Sequence, residues 1–433
     1  MTKLSRDLKL WQITLIGVGI ILGAGIYVLI GEAAGLAGNA VWISFILAAI
    51  VSAFTGLSYA ELSSIFPKAG AEYVYVNKSL GKELAWLAGW LIILGGVISA
   101  ACVSIGFANY FSALFHTPII LTALTLIMVC GIILFVGVKQ SAFFTIIFTL
   151  IETTGLIIII FIGLPMLGAV NYLEMSMSGL AGLKGIFEAS ALIFFAFIGF
   201  ETITRLSEET KNPTKTIPKA LILSIVITTI IYIFVAVSAI SVLGWSNLSK
   251  SKAPLADVAS SVFGPNVYLI ISVIALFATF NTVLAIMLGT SRLIYGMATQ
   301  NIGKFHGLAR FLCSIYEKTK TPWASIMLTA LFSMPFVLTG NIKTFANMTN
   351  FTVFVTFILV NASVIWFRYK KPNIKKGFKT PINIGKLPLL PVLGIITCLF
   401  MLLNVGFDVL IYGFIIMLIG IVIYWITNKR IGK

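Results

Sequence analysis

The sequence predicts an all-α integral membrane protein with twelve transmembrane helices. Of its 433 residues, 59% are hydrophobic and only 10% are charged, whereas soluble domains carry about 25% charged residues. Apolar runs recur along the whole chain, and a helix needs about 20 such residues to cross a bilayer. This composition suits a surface that faces lipid rather than water.

The spans are delimited by the length of the apolar runs and by the helix-breaking residues between them. Periodicity does not help, because the runs are apolar on all sides. Prolines such as Pro67, Pro213 and Pro322 lie in the breaks on one side, where the missing N–H and the ring stop a helix. The predicted spans are 11–30, 40–63, 84–111, 119–137, 142–168, 185–206, 218–243, 266–292, 322–339, 347–367, 388–405 and 408–427.

The net charge of +16 is explained by membrane topology rather than by nucleic-acid binding. Twelve spans put both termini and every second loop on one side. The opposite loops hold only Lys184, Lys250, Lys252 and Lys343 of the 30 Lys and Arg residues. An excess of basic residues marks the cytoplasmic side, so we predict a multi-pass protein of the cell membrane with cytoplasmic N- and C-termini and no nucleic-acid partner.

The remaining signals argue against other classes of protein. The first apolar run follows Lys3 and Arg6 as a signal peptide would, but at about 20 residues it is longer than a typical signal-peptide core, which favours an uncleaved span. The four cysteines imply no disulfide framework. His116 and His306 have no clustered ligands, so we predict no metal site. With no Walker-type loop either, neither an enzyme nor an ATP-driven pump is expected.

Two spans contain sequences in which helical order is expected to fail, at 17–26 and 194–201. They open two successive sets of five spans, 11–168 and 185–367, with 388–427 as two accessory helices. Since five is odd, the second set is inverted relative to the first. Interrupted segments at matching positions of two halves point to a transporter site near the bilayer midplane. The alternative is close helix packing, because Gly19 and Gly23 also fit small-xxx-small spacing.

A break inside a span leaves peptide N–H and carbonyl groups that need partners in hydrocarbon. An amino-acid zwitterion supplies both kinds of partner: its carboxylate suits the N-terminal end of a half-helix, and its ammonium suits free carbonyls. Gly23, Ala24 and Gly25 let the backbone approach a ligand closely. Such a site binds an α-amino acid with few charged side chains.

Seven short segments, spread in order along the chain, form a recognisable set of motifs. They are 23–26 (GAGI), 59–62 (YAEL), 67–73 (PKAGAEY), 195–201 (FAFIGFE), 208–213 (EETKNP), 217–218 (IP) and 291–295 (SRLIY). With these motifs the chain resembles the amino acid–polyamine–organocation (APC) superfamily over nearly its full length. The resemblance implies the LeuT-type fold, a five-plus-five inverted repeat with discontinuous helices 1 and 6 and two extra C-terminal helices.

By position, the resemblance implies that backbone N–H groups of Ala24 and Gly25 bind the substrate carboxylate. The carbonyls of Ile21, Phe195 and Ile198 would bind its ammonium group. Phe195 also stands where the family often has an aromatic gate over the substrate, although a phenylalanine inside a span is usually a core residue.

Glu152 lies in the middle of the fifth span, where a carboxylate costs about 2.5–3.5 kcal/mol on insertion scales. It therefore faces a cavity or carries a proton. The resemblance puts it where some proton-coupled relatives have a lysine, and this chain departs from them. We predict that Glu152 takes up the coupling proton beside the carbonyls of Gly19 and Leu22, with Asn281 or Thr282 nearby. It would alternatively ligate sodium, or be a neutral structural acid.

Other charges are gating candidates. Glu201 follows the break in the sixth span with Arg205 four residues on, a spacing that allows an ion pair; a structural pair and a gating pair are both consistent with it. Glu61, Glu208 and Glu209 lie at cytoplasmic ends, where pairing with Lys or Arg would close an inner gate, or where they are merely solvated.

These observations predict a secondary active transporter that carries amino acids across the cell membrane, with proton symport by alternating access. Exchange, sodium coupling, a channel and a non-transporting amino-acid sensor are the alternatives. No cofactor is expected beyond the coupling proton or sodium. The expected partners are the amino acid and the lipid bilayer, and the chain is a monomer or a homodimer.

Overall fold

The computed structural model describes residues 8–67, 71–136, 142–300, 307–319, 321–374 and 377–429, without the side chains of 71, 142–146, 205, 208–209, 300, 308–309 and 427–429. Helices and their connecting segments make up most of the described chain, and its two strands, β1 Asn383–Ile384 and β2 Leu387–Pro388, form one small antiparallel hairpin. The α-helices are α1 Leu10–Leu22, α2 Gly25–Ala37, α3 Val41–Ile65, α4 Ala71–Ser79, α5 Lys82–Phe115, α6 Ile119–Val136, α7 Ala142–Gly163, α8 Gly179–Ile193, α9 Pro213–Leu248, α10 Pro254–Phe263, α11 Pro265–Gln300, α12 Leu308–Leu312, α13 Trp323–Val337, α14 Ile342–Lys370, α15 Leu389–Leu402 and α16 Phe407–Lys429.

Within those residues, nine helices are long and apolar enough to cross a membrane, compared with the twelve spans predicted. The continuous helical stretch Gly25–Ile65 joins α2 and α3, which the sequence assigned to two spans. The helices Leu10–Leu22, Trp323–Val337 and Leu389–Leu402 are apolar but shorter. The all-helical membrane class is confirmed, and the exact number of spans stays a prediction.

Both predicted helix breaks are present. The helix α1 ends at Leu22, Gly23 has φ 18° and ψ −149°, and α2 begins at Gly25. The helix α8 ends at Ile193 and continues as a short 3-10 turn, Phe194–Phe197, followed by extended backbone at Ile198. Gly199 has φ +122°, a backbone conformation that residues with a side chain rarely adopt. A second 3-10 segment, Phe200–Glu209, follows it.

Large aromatic residues fill the centre of the molecule, while the outer helices present apolar side chains outward. Tyr27, Tyr59 and Tyr232 are among the largest fully buried side chains. On α16, Leu418 is 60% exposed and Trp425 is 57% exposed. A helix with its apolar residues exposed in this way is stable in lipid, where exposure of such groups costs nothing.

A buried ion pair ties the end of α14 to α3. The Arg368 guanidinium donates from Nε to Glu61 Oε1 at 2.7 Å and from Nη2 to Glu61 Oε2 at 2.6 Å. Thr380, in the segment before β1, donates to the same carboxylate from its backbone N–H at 2.9 Å. The expected pairing of Glu61 with a basic residue is therefore present, and its gating role stays a prediction. Glu208 and Glu209 have side chains outside the described part of the chain.

Arg368→Leu is expected to lower the free energy of unfolding by about 3–5 kcal/mol, because it leaves the Glu61 carboxylate buried without its guanidinium partner. The measurement is thermal unfolding of purified protein in detergent. The matched control is Lys184→Met, which removes the exposed Lys184–Glu188 pair at 3.5 Å and is expected to cost about 0–1 kcal/mol. Equal small effects of the two substitutions would contradict this view of the buried pair.

Candidate functional site

The two broken helices touch each other at their breaks. A β-carbon added to Gly25 would lie 2.5 Å from Cα of Ala196, and one added to Gly199 would lie 2.6 Å from the Ile20 side chain. These distances leave no room for a side chain at either glycine. The glycines at 25 and 199 therefore allow contact between the interruption of the first predicted span and that of the sixth.

Tyr232 of α9 bridges the two breaks. Its hydroxyl oxygen lies 2.6 Å from the carbonyl oxygen of Ile21, 3.2 Å from that of Leu22 and 2.9 Å from that of Ala196. A tyrosine hydroxyl has one proton to donate, so three carbonyls share one donor. This residue was missed by the sequence analysis, and it contacts two of the carbonyls, at Ile21 and Leu22, that were predicted to bind ligand or ion.

The N–H of Ala24, predicted to bind a carboxylate, also has a partner within the protein. It donates to Thr282 Oγ1 of α11 at 3.1 Å, and the Thr282 hydroxyl donates to the Ala278 carbonyl at 2.8 Å. A β-carbon on Gly23 would lie 3.0 Å from the same hydroxyl oxygen. The hydroxyl thus occupies the position of an acceptor at the N-terminal end of α2, the end that favours negative charge.

The break in the sixth predicted span is partly closed on itself. The N–H of Ile198 donates to the carbonyl of Phe195 at 3.3 Å. The Phe195 side chain is buried, and the neighbouring Phe194 ring packs against Phe354 of α14 with centroids 4.5 Å apart. Phe195 therefore lies at the break, as predicted, and its gating role stays a prediction.

Glu152 of α7 is 1% exposed, and its Oε1 has no hydrogen-bond partner among the described residues. Its side-chain neighbour is Asn281 of α11, which is one of the two residues predicted to lie beside it. Around it, the Tyr27 hydroxyl donates to the Glu152 carbonyl at 2.9 Å. Gly19 packs against Thr149, one turn from Glu152, so closely that a β-carbon would overlap the hydroxyl.

Glu201 belongs to the sixth-span break. Its Oε2 accepts a hydrogen bond from the N–H of Gly199 at 2.9 Å, which gives a peptide group freed by the break a charged partner. The side chain of Arg205 lies outside the described part of the chain, so the predicted pairing of these two residues stays a prediction. Within the residues that the structure describes, no three His, Cys, Asp or Glu side chains come together as metal ligands.

Two interrupted helices in contact inside a bundle with an apolar exterior are the structure of an integral membrane protein, and the comparison with known proteins assigns it to a class of permeases rather than enzymes. The chain belongs to the amino acid permease family, whose model matches residues 8–426.

Several named relatives match most or all of the chain. It is 30% identical to the branched-chain amino acid permease BcaP of Bacillus subtilis, covering 100% of this chain and 95% of the relative. It is 28% identical to the methylthioribose transporter of Bacillus subtilis, covering 99% and 94%. It is also 27% identical to cationic amino acid transporter 4 of Mus musculus, covering 86% and 61%.

Gly25→Ala is expected to destabilise the protein by about 1–3 kcal/mol, because the new methyl group overpacks the contact with Ala196. The control is Gly289→Ala on α11, where an added β-carbon meets no atom within 4 Å. That change is expected to stabilise the helix by about 0.5–1 kcal/mol. Thermal unfolding in detergent measures both, and shifts of the same sign would contradict the close contact.

Tyr232→Phe is expected to cost about 1–3 kcal/mol, because it removes the donor from buried carbonyls. The ring contacts of Tyr232 with Phe45 and Phe197, at 5.6 and 5.2 Å between centroids, are kept. Tyr412→Phe, at a residue exposed on α16, is the control and is expected to change stability by less than about 0.5 kcal/mol. Equal stability of both variants in the same unfolding assay would show that the hydroxyl contributes nothing.

Proposed function

We propose that this protein is a secondary active transporter of amino acids that works by proton-coupled symport. The observation that carries the proposal is the contact between two helix breaks, at Gly25 and Ala196, inside an apolar bundle. Membership of the amino acid permease family supports it, as do relatives named for branched-chain and cationic amino acids. The relative named for methylthioribose indicates that substrates differ within the group.

The proposed architecture is the LeuT-type fold with twelve spans. Residues 11–168 form the first repeat, 185–367 form the inverted second repeat, and 388–427 form two accessory helices. Both termini are cytoplasmic in this arrangement, which the distribution of Lys and Arg supports. The matching breaks at 23–24 and 194–199 support the repeat, because interrupted helices in two halves commonly form a transporter binding site.

In the proposed bound state, the substrate replaces internal hydrogen-bond partners. Its carboxylate accepts from the N–H groups of Ala24 and Gly25, which requires Thr282 to release Ala24. Its ammonium donates to the carbonyls of Ile21, Phe195 and Ile198, which requires Tyr232 to release Ile21. Gly23 provides the space beside the backbone. In the ligand-free site the hydroxyls of Thr282 and Tyr232 pair with the N–H of Ala24 and the carbonyl of Ile21, groups that would otherwise lack partners in hydrocarbon.

Glu152 is the proposed coupling acid. It is buried, its Oε1 has no partner among the described residues, and Asn281 lies beside it. The carbonyls of Gly19 and Leu22 belong to the same proposed region, next to the break in α1–α2. Protonation of Glu152 removes a buried negative charge and so favours the conformation in which this carboxyl group is buried. Substrate binding is proposed to favour the same conformation, which couples the proton to the substrate. Phe195, Glu201 and Arg205 are the proposed gating residues.

The test is uptake of radiolabelled amino acids by purified protein in liposomes. We expect uptake to rise several-fold with an inward proton gradient, and Glu152→Gln to abolish this rise because the amide takes up no proton. The control is Glu188→Gln on α8, where the carboxylate pairs with exposed Lys184; its uptake is expected to keep the pH dependence of the wild type. Wild-type pH dependence in Glu152→Gln would refute the coupling role.

The same liposomes separate the alternatives. Uptake that follows a sodium gradient instead would indicate sodium coupling. Uptake only into liposomes preloaded with amino acid would indicate exchange. Binding without any uptake would indicate a sensor, and the transport proposal would then be wrong.

A further inference from the structure

Two asparagines on α14 carry amide oxygens that nothing in the described protein satisfies. Asn350 is 0% exposed and Asn347 is 5% exposed, and Oδ1 of each has no hydrogen-bond partner among the described residues. An unpaired buried acceptor is destabilising, because it has lost its hydrogen bonds to water without gaining others. Buried polar groups are paired in the great majority of native structures, and an exception calls for an explanation.

The orientation of the Asn350 amide is determined by its neighbours. Its Nδ2 donates to the carbonyl of Ala191 at 2.6 Å and lies 3.3 Å from that of Leu192. An amide oxygen in that position would face two other acceptors, so the nitrogen and oxygen of this amide cannot be exchanged. The Oδ1 atom is therefore an acceptor and not a misassigned donor.

Asn350 lies at the break in the sixth predicted span. Ala191 and Leu192 belong to the last turn of α8, whose final carbonyls have no partner within the helix, and the 3-10 turn that packs against Gly25 follows directly. One turn further along α14, Phe354 packs against Phe194 of that turn. The free acceptor is thus beside the proposed substrate site, at the negative end of a helix, where donors and cations are favoured.

Asn347 extends the same feature by one turn. Residues three apart on a helix lie on one face, with Cβ atoms about 5–6 Å apart. The two unpaired amide oxygens therefore make a pair of acceptors on one side of α14. Two nearby acceptors suit a group with several N–H or O–H donors better than they suit a hydrocarbon.

We propose that Asn350 and Asn347 form a side-chain subsite that accepts hydrogen bonds from the transported amino acid. This rests on the proposed transport function and specifies its substrate class. The subsite selects side chains that carry a hydroxyl, amide or ammonium donor. An aliphatic side chain of the same size leaves both acceptors unpaired and binds more weakly for that reason.

The test compares pairs of amino acids that match in size and differ in a donor: threonine with valine, glutamine with methionine, and lysine with norleucine. Binding is measured by competition against the best-bound labelled amino acid, with full-length protein in nanodiscs. In at least one pair the donor-bearing member is expected to bind about tenfold more tightly. Asn347→Leu and Asn350→Leu are each expected to bring that ratio close to one.

The matched control is Asn361→Leu on the same helix. Asn361 is also fully buried, but its amide is paired: Nδ2 donates to Thr55 Oγ1 at 3.0 Å and Oδ1 accepts from Ser58 at 2.6 Å. Its loss is expected to reduce stability and to leave the affinity ratio unchanged. Asn350→Leu also removes a cap from α8, and if it does not fold, Asn347→Leu alone decides the outcome.

Three results would overturn the subsite. The first is that the wild type shows no preference within any pair of amino acids. The second is that Asn347→Leu and Asn350→Leu keep the wild-type affinity ratio. The third is that Asn361→Leu lowers the ratio as much as those two variants do. An unchanged ratio would mean that the two oxygens merely hold water. If amino acids are transported and the ratios fail, only the subsite is wrong. If no amino acid binds or is transported, the proposed function is wrong as well.

Discussion

The need to pair every peptide group in a medium without water governs this structure. Helices satisfy that need along their length, and it reappears wherever a helix is interrupted inside the bundle. Here the interruptions meet, and side chains from α9 and α11 supply the missing partners. Tyr232 reaches carbonyls of both breaks, and Thr282 receives the N–H of Ala24. The stability of the bundle thus depends on the same few hydrogen bonds that a substrate would replace in the proposed function.

Glycine makes this arrangement possible through its size as well as through its backbone freedom. At Gly25 the lack of a side chain permits contact with Ala196, and at Gly19 it permits contact with Thr149. At Gly199 the backbone itself adopts a conformation that favours glycine. The first predicted span therefore shows both close packing through glycine and a helix break, which the sequence had offered as alternatives.

The sequence predicted the features that are local in the chain. Glycine-rich stretches and the ordered family motifs located both breaks, and the resemblance led to the expectation that Asn281 or Thr282 lies near Glu152. Features that join distant parts of the chain were not predictable from one sequence. Tyr232 lies 211 residues from Ile21, and Arg368 lies 307 residues from Glu61, so neither pairing leaves a local pattern. The span count differed because interrupted or short helices, such as Leu10–Leu22, fall below the length of a full crossing.

Asn281 and Thr282 are consecutive residues of α11, yet they contact different functional groups: the carboxyl group of Glu152 and the N–H of Ala24. Any rotation or sliding of α11 therefore alters both contacts at once. Because both contacts are made by the same helix, no further residues are needed to connect them. The carboxyl group in α7 and the N-terminal end of α2 are therefore linked mechanically through one rigid helix.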